Sequence, residues 1–223
     1  MEAKHNQTVQ SITKATHDVL HIVVEKPANY SFMPGQATEV AIDKPAWNGE
    51  NRPFSFTSLP GDDFIEFTIK TYPSHKGMTD QLNHLAVGEK LILHDVWGAI
   101  NYAGEGLFIA GGAGVTPFLS ILRHLDKEKK IGNNKLVFAN KTVADIICHD
   151  ELKGYLAHNF INVLSGEAVD SHHYGYVSEE ILKEHISGGD QKFYICGPPP
   201  FMEAVQKIFE RLGVGDTAVV MEV

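Results

Sequence analysis

Between residues 8 and 97, apolar side chains come in short runs that often alternate with polar ones, and turn residues interrupt them. A strand turns successive side chains to opposite faces, so this spacing predicts antiparallel strands with one face in a core. Six segments carry the pattern, at 8–16, 19–25, 37–42, 53–58, 64–72 and 90–96. Met33-Pro34-Gly35, Pro60-Gly61-Asp62 and Val87-Gly88-Glu89 fall between them, where Pro fixes φ and Gly admits positive φ. Short strands at this spacing predict a closed six-stranded barrel, with 77–85 its one helical stretch.

Past Gly104 the rhythm changes to continuous apolar runs, each followed by an amphipathic helix, the pattern of a parallel sheet covered on both faces. Five strands are predicted, at 106–110, 135–140, 160–165, 192–196 and 218–221, with helices near 117–129, 145–158, 178–187 and 200–212. The fold class is therefore β followed by α/β: an antiparallel barrel, then a five-stranded parallel α/β domain. The boundary belongs in 98–105, which gives domains of 1–101 and 102–223. No internal repeat is visible, and the charged stretch at 126–130 reads as a solvated helix end.

Composition narrows the partners. A hydrophobic fraction of 43% and a charged fraction of 21% are those of a globular chain, not of a disordered or fibrous one. A net charge of −9 argues against nucleic acid, because a phosphate backbone is held by clustered Lys and Arg. The same charge repels acidic redox proteins unless a local basic patch faces them. Cys148 and Cys196 are the only cysteines, too few for a disulfide framework and not in a Cys-x-x-Cys for zinc or iron and sulfur. Residues 1–12 lack the apolar core of a signal peptide, and no run nears the ~20 apolar residues of a membrane span. The expected location is a reducing, cytoplasmic one.

Three segments carry chemistry. In the first, an apolar strand runs through Gly111, Gly112, Ala113 and Gly114 toward a helix near Pro117. Small residues let backbone approach a ligand, and free N–H groups with the helix dipole favour a pyrophosphate. A tight strand-to-helix connection is the plainer reading, but Gly-x-Gly-x-x-Pro sits on the first strand of the second half, where a cofactor crevice belongs. In the second segment, the fourth strand delivers Cys196 and Gly197 to its carboxyl end before three prolines, so this loop is expected to share the crevice. Cys196 alone also reads as a buried strand-end thiol.

The third segment is Arg52-Pro53-Phe54-Ser55 in the barrel half. Arg can pair with a pyrophosphate, an aromatic ring can lie on a flat heterocycle and a hydroxyl can bond a ring nitrogen. By itself it is also an ordinary strand with a surface Arg. Lys76, Gly77, Met78 and Thr79 then open the barrel's helix, whose first N–H groups suit a second phosphate. Two phosphate seats in two halves imply two nucleotides.

Five ordered motifs now stand together: FMPGQ at 32–36, RPFS at 52–55, IKTY through KGMT at 69–79, GGAGVTPF at 111–118 and CGPPPFM at 196–202. In these the chain resembles the ferredoxin–NADP reductase superfamily, which includes flavodoxin reductases and the soluble part of NADH–cytochrome b5 reductase. The resemblance implies a Greek-key barrel holding FAD and an α/β domain receiving NAD(P)H. A hydride would pass to flavin N5, and electrons onward to flavodoxin, ferredoxin, a cytochrome or a small acceptor. It implies that Arg52 pairs with the FAD pyrophosphate, Phe54 lies on the isoalloxazine and Ser55 sits beside N5. Main-chain groups around Ile69 and Lys70 would bind the flavin's polar edge, Tyr72 would pack on the cofactor, and Gly77, Met78 and Thr79 would hold the pyrophosphate. Gly112 and Gly114 would seat the NAD(P)H phosphates, with Thr116, Cys196 and Gly197 flanking the nicotinamide. Glu222 matches a near-terminal acidic residue that handles a proton. Many relatives end in an aromatic that covers the flavin, whereas this chain ends VVMEV, which implies a more open flavin face.

Asn140-Lys141-Thr142 follows the second parallel strand with no Arg to clamp a 2′-phosphate, so NADH is the slightly favoured donor. The rival readings are a reductase of free flavin, and an electron-transfer subunit of a larger complex, whose usual cysteine cluster is absent here. The histidines, including His149, His158, His172, His173 and His185, show no metal-ligand spacing, and no metal site is assigned.

Overall fold

The computed structural model describes residues 4–221. Its first half holds β1 (His5–Thr16), β2 (Val19–Glu25), β3 (Ala37–Ile42), β4 (Arg52–Ser55), β5 (Phe64–Lys70) and β6 (Lys90–Trp97). They are antiparallel in the order β4-β3-β6-β1-β2-β5, with β6 returning between β3 and β1 as a Greek key. A bridge between Phe56 and Phe67 closes the barrel, backed by the Thr57 N–H donating to the Glu66 carbonyl at 2.9 Å. The long β1 serves both sides: residues 5–8 pair with β6 and residues 9–16 with β2. A register shift between Val9 and Ser11 marks the bulge that bends it. Alternate residues, among them Ile22, Val24, Val40, Phe56, Ile65, Phe67 and Leu93, fill the interior.

The second half is built on β7 (Gly106–Gly111), β8 (Lys135–Asn140), β9 (Phe160–Leu164), β10 (His173–Tyr174), β11 (Lys192–Cys196) and β12 (Val219–Met221), parallel in the order β10-β9-β8-β7-β11-β12. Along β7, Phe108 and Ala110 face a cluster with α2 (Thr116–Lys127) and α3 (His149–Leu156). Leu107 and Ile109 face another with α4 (Glu179–His185) and α5 (Pro199–Leu212). Helices therefore cover both faces, as the continuous apolar strands require.

Several expectations change. The parallel sheet has six strands, not five: two residues, His173 and Tyr174, add an edge to β9 and are too few to show a periodicity. The helix expected at 145–158 starts at His149, because Cys148 adopts a left-handed φ of 52° after a turn at Val143–Asp145. The helix expected at 77–85 divides into α1 (Met78–Gln81) and a 3₁₀ turn at Leu82–His84. The fifth strand ends at Lys70, where the Thr71 N–H turns to the Asp18 carbonyl and Pro73 opens a 3₁₀ turn.

The two halves share apolar packing. Val19 of β2 and Ile100 of the connector belong to the same cluster as Phe108, Phe118 and Leu122. Gly35 has φ +96°, and a Cβ there would lie 2.5 Å from the Ile100 carbonyl oxygen, so the Pro34-Gly35 turn is fitted to this seam. His21 also faces the seam, with Nδ1 on the Thr68 hydroxyl at 2.9 Å and Nε2 3.8 Å from the Cys148 sulfur. Burial, helped by Arg123 and outweighing the carboxylates of Glu66 and Glu151, holds its imidazole below the ordinary 6.5. The unfolded chain then binds the extra proton first, so this contribution to stability is full above pH 6.5 and is lost as pH falls through the lowered value. Between about pH 7.5 and 5 the melting temperature is expected to fall more steeply in the wild type than in His21→Gln, and parallel curves would contradict this.

Candidate active site

A cleft of about 910 Å³ opens at the carboxyl ends of the parallel strands, within the size range of small-ligand sites. Gly112 and Gly114 line it from the turn after β7, Cys196 and Gly197 from the end of β11, and Lys70 and Tyr72 from the barrel. The two sequence-predicted loops are thus neighbours, and the end of β5 joins them.

The glycines in these loops serve different ends. Gly112 has φ +52° and no atom within 4 Å of a built Cβ, so the backbone needs its conformation and open space lies beside it. At Gly114 a Cβ would stand 2.2 Å from the Cys196 carbonyl oxygen, so the loops touch backbone to backbone. The Phe201 ring abuts both Gly111 and Gly197, with built Cβ distances of 3.0 and 2.5 Å. Pro117 lies in the first turn of α2, where its missing N–H leaves no gap. Thr116 begins that helix but is buried and does not line the cleft.

The barrel motif, Arg52 to Ser55, does not line that cleft. Arg52 exposes 48% of its side chain and donates to Glu50 at 3.3 Å and to the Asn51 carbonyl at 2.6 Å. Pro53 and Phe54 pair across to Glu39 and Thr38, and Ser55 to Ala37. The Phe54 ring packs at the margin of the barrel core, 6.4 Å from Phe67. Beyond the Phe56–Phe67 bridge, among the described residues, no strand pairs with residues 68–70 on the side away from β2. The Ile69 side chain is in the core, so only its main chain can meet a ligand. Gly77 caps α1 without a side-chain hydrogen bond, Met78 is buried, and Lys76 and Thr79 remain accessible. An open strand edge, an uncapped helix start and a guanidinium are suitable donors for a flat ring carrying a pyrophosphate, and FAD fits them. Tyr72, stacked on His75 at 5.3 Å, also lines the cleft and so links the two regions.

Charges at the cleft mouth are paired. Lys70 meets Asp18 at 2.6 Å; burial pushes the Asp18 carboxyl up, but the hydrogen bond and charge of Lys70 outweigh it and hold it low. His17 lies 3.6 Å from Asp18 and 3.8 Å from Asp145, whose other oxygen accepts from the Thr142 amide and hydroxyl. These three ligand-type side chains converge, yet the carboxylates already serve Lys70 and Thr142, and the group reads as an ion-pair cluster. The cysteines differ. Burial, then Glu151, pushes the Cys148 thiol up to about 12, which keeps it protonated at the seam, whereas Cys196 lines the cleft. Glu222 lies outside the described residues.

Sequence reasoning did not single out Phe201, although it stands inside the CGPPPFM motif, nor Asp18, whose link to Lys70 spans separate strands. Tyr176 was also missed; it projects at the cleft from the segment after β10.

Comparison with known proteins agrees with this geometry. A family described as "FAD-binding domain" matches residues 4–131, and "Oxidoreductase NAD-binding domain" matches 108–207. The reductase component of propane 2-monooxygenase from Rhodococcus jostii is 30% identical over 92% of this chain and 59% of its own length. The electron transfer component of 2-halobenzoate 1,2-dioxygenase from Burkholderia cepacia is 27% identical over 83% of this chain and 56% of its own. The chain therefore spans about 60% of the length of the curated relatives it matches. A ferredoxin NADP+ reductase from Neisseria gonorrhoeae with bound FAD and NADP shares the fold at a TM-score of 0.83 and 19% identity, over 98% of both chains. The chain belongs to the FAD-binding domain family and, with its NAD-binding half, to the ferredoxin–NADP reductase and cytochrome b5 reductase-like oxidoreductases. Among the described residues no helix is long and apolar enough to cross a membrane.

The contact at Gly114 predicts a graded outcome. Gly114→Ala is expected to lower unfolding free energy by roughly 1–3 kcal/mol through overpacking and to weaken NAD⁺ binding. Gly112→Ala is expected to cost about 1–2 kcal/mol through its left-handed φ. Urea unfolding and NAD⁺ titration check both; an unaffected Gly114→Ala would reject the backbone contact.

Proposed function

We propose that this protein moves a hydride from NADH to bound FAD and passes electrons onward to a redox partner. One observation carries the reading: a single cleft is lined by Lys70 and Tyr72 of the barrel and by Gly112, Gly114 and Cys196 of the parallel sheet. When bound, FAD supplies the electron chemistry, accepting a pair and releasing electrons singly. The chain's residues bind and orient. Arg52 and the start of α1, with Lys76, Gly77 and Thr79, hold the FAD pyrophosphate. Phe54 supports the ring, Ser55 offers its hydroxyl to the redox nitrogen, and the main chain at Ile69 and Lys70 meets the polar edge. Gly112 and Gly114 seat the dinucleotide phosphates, Cys196 and Gly197 fix the nicotinamide, and Glu222 carries a proton. Thr116, being buried, acts through the first turn of α2 rather than by contact.

The relatives named as reductase or electron transfer components of oxygenases favour a protein acceptor, such as a ferredoxin, flavodoxin or cytochrome, over a small oxidant. The working boundary is 101/102, between the end of β6 at Trp97 and the start of β7 at Gly106. Two cysteines outside any disulfide suit a reducing cytoplasm.

The purified protein is expected to be yellow and to bleach anaerobically with NADH, whereas a reductase of free flavin would be colourless. Ser55→Ala and Cys196→Ala are each expected to slow bleaching roughly ten- to a hundredfold by misplacing a reacting group; wild-type rates in both would reject their roles.

NADH preference rests on the cations of the cleft. Lys70 is held by Asp18, among the described residues no Arg lines the cleft, and Lys141 shares its rim with the Asp145 carboxylate. A 2′-phosphate needs firmer neutralisation. Steady-state kcat/KM is expected to favour NADH over NADPH by about tenfold or more, and equal values would overturn the preference.

A further inference from the structure

We infer that Arg123 is a positioning residue that fixes the flavin-binding strands against the helix bearing the dinucleotide seat; this rests on the hydride-transfer reading above. Arg123 lies on α2, about two turns beyond the glycine loop. Its guanidinium reaches three separate segments. Nη1 donates to the Thr57 carbonyl at 2.6 Å and to Glu66 of β5 at 2.6 Å. Nε and Nη2 take the two oxygens of Glu151 on α3, at 2.6 and 2.9 Å. Thr57 stands two residues after Ser55, and Glu66 lies four residues before Lys70 on the strand whose end meets the cleft. One turn earlier on α2, the Ser120 hydroxyl donates to the Ser58 carbonyl at 3.0 Å.

These contacts are built rather than incidental. The Arg123 side chain is only 19% exposed, and those of Glu66 and Glu151 are 18% and 27% exposed. Burial opposes a charge on Arg123, but the two carboxylates outweigh it and keep the guanidinium protonated. Tyr155 completes Glu151 with a hydrogen bond of 2.9 Å, and the Thr57 hydroxyl completes Glu66 at 2.7 Å. The apolar part of the seam, Val19 and Ile100 against Phe118 and its neighbours, holds the halves together without fixing their register, because hydrophobic attraction has no direction. A planar fork on fixed acceptors does fix register. Hydride transfer is sensitive to displacements of about 1 Å, so a clamp joining the Ser55 strand to the phosphate-binding helix sets the productive gap.

The test compares the FAD-loaded wild type, Arg123→Lys, Arg123→Met, and a triple variant with Arg123→Met, Glu66→Gln and Glu151→Gln, which removes the stranded carboxylate charges and guards against unfolding. FAD content reads the barrel seat, ADP-ribose titration reads the dinucleotide seat without nicotinamide, and hydrogen exchange reads the seam. In the triple variant, FAD content and ADP-ribose affinity are expected within about twofold of wild type. Exchange at residues 57–58 and 120–123 is expected to rise, and bleaching at saturating NADH to slow by about tenfold or more. Arg123→Lys, which keeps the charge but loses the fork, is expected between wild type and Arg123→Met. Wild-type bleaching in the triple variant would overturn the proposal, as would parallel losses of FAD content, ADP-ribose affinity and bleaching, which mark a merely structural residue. A wild type that NADH fails to bleach would reject the parent reading, and the exchange data would then decide whether Arg123 fixes the seam.

Discussion

The proposed hydride transfer requires two ligand seats, made by separate sheets, to face each other across a seam that no strand crosses among the described residues. Nothing in the barrel's ladder or in the parallel sheet's ladder sets that relation. It depends on what lies between them: the shared apolar cluster around Val19, Ile100 and Phe118, and the hydrogen-bonded ion group around Arg123, Glu66 and Glu151. The first supplies attraction and the second supplies direction. Burying charges is costly unless each is paired, and here the carboxylates and the guanidinium satisfy one another.

Within the parallel sheet, the same principle operates at shorter range. The loops after β7 and β11 approach until Gly114 leaves no room for a Cβ beside the Cys196 carbonyl, and Phe201 fills the space against Gly111 and Gly197. A glycine-rich turn thus has two physical duties, a left-handed bend at Gly112 and a close backbone contact at Gly114. Neither was anticipated from the phosphate-binding pattern, which read the small residues as letting backbone approach a ligand, and the second explains why the two loops form one cleft wall.

Much of the fold was legible because its determinants are local. Alternation located the barrel strands, and β2 and β3 have the bounds that the pattern predicts. Continuous apolar runs located the parallel strands, and Gly-x-Gly-x-x-Pro located the turn into α2. Local patterns failed where the determinant was distant or small. Two residues of β10 carry no period, the left-handed turn at Cys148 has no glycine to announce it, and Arg123 reads in sequence as one more cation on a helix. That Arg52 and Ser55 do not line the cleft was likewise invisible, because motif order says nothing about which residues a cleft gathers.

The most direct test of two seats meeting across the seam is a crystal structure of the protein with FAD and NAD⁺ bound together. The account predicts the isoalloxazine against Phe54 and Ser55, the nicotinamide beside Cys196, and their reacting atoms about 3–3.5 Å apart. A flavin bound elsewhere, or a groove beside Arg52 and Ser55 packed with side chains, would contradict it.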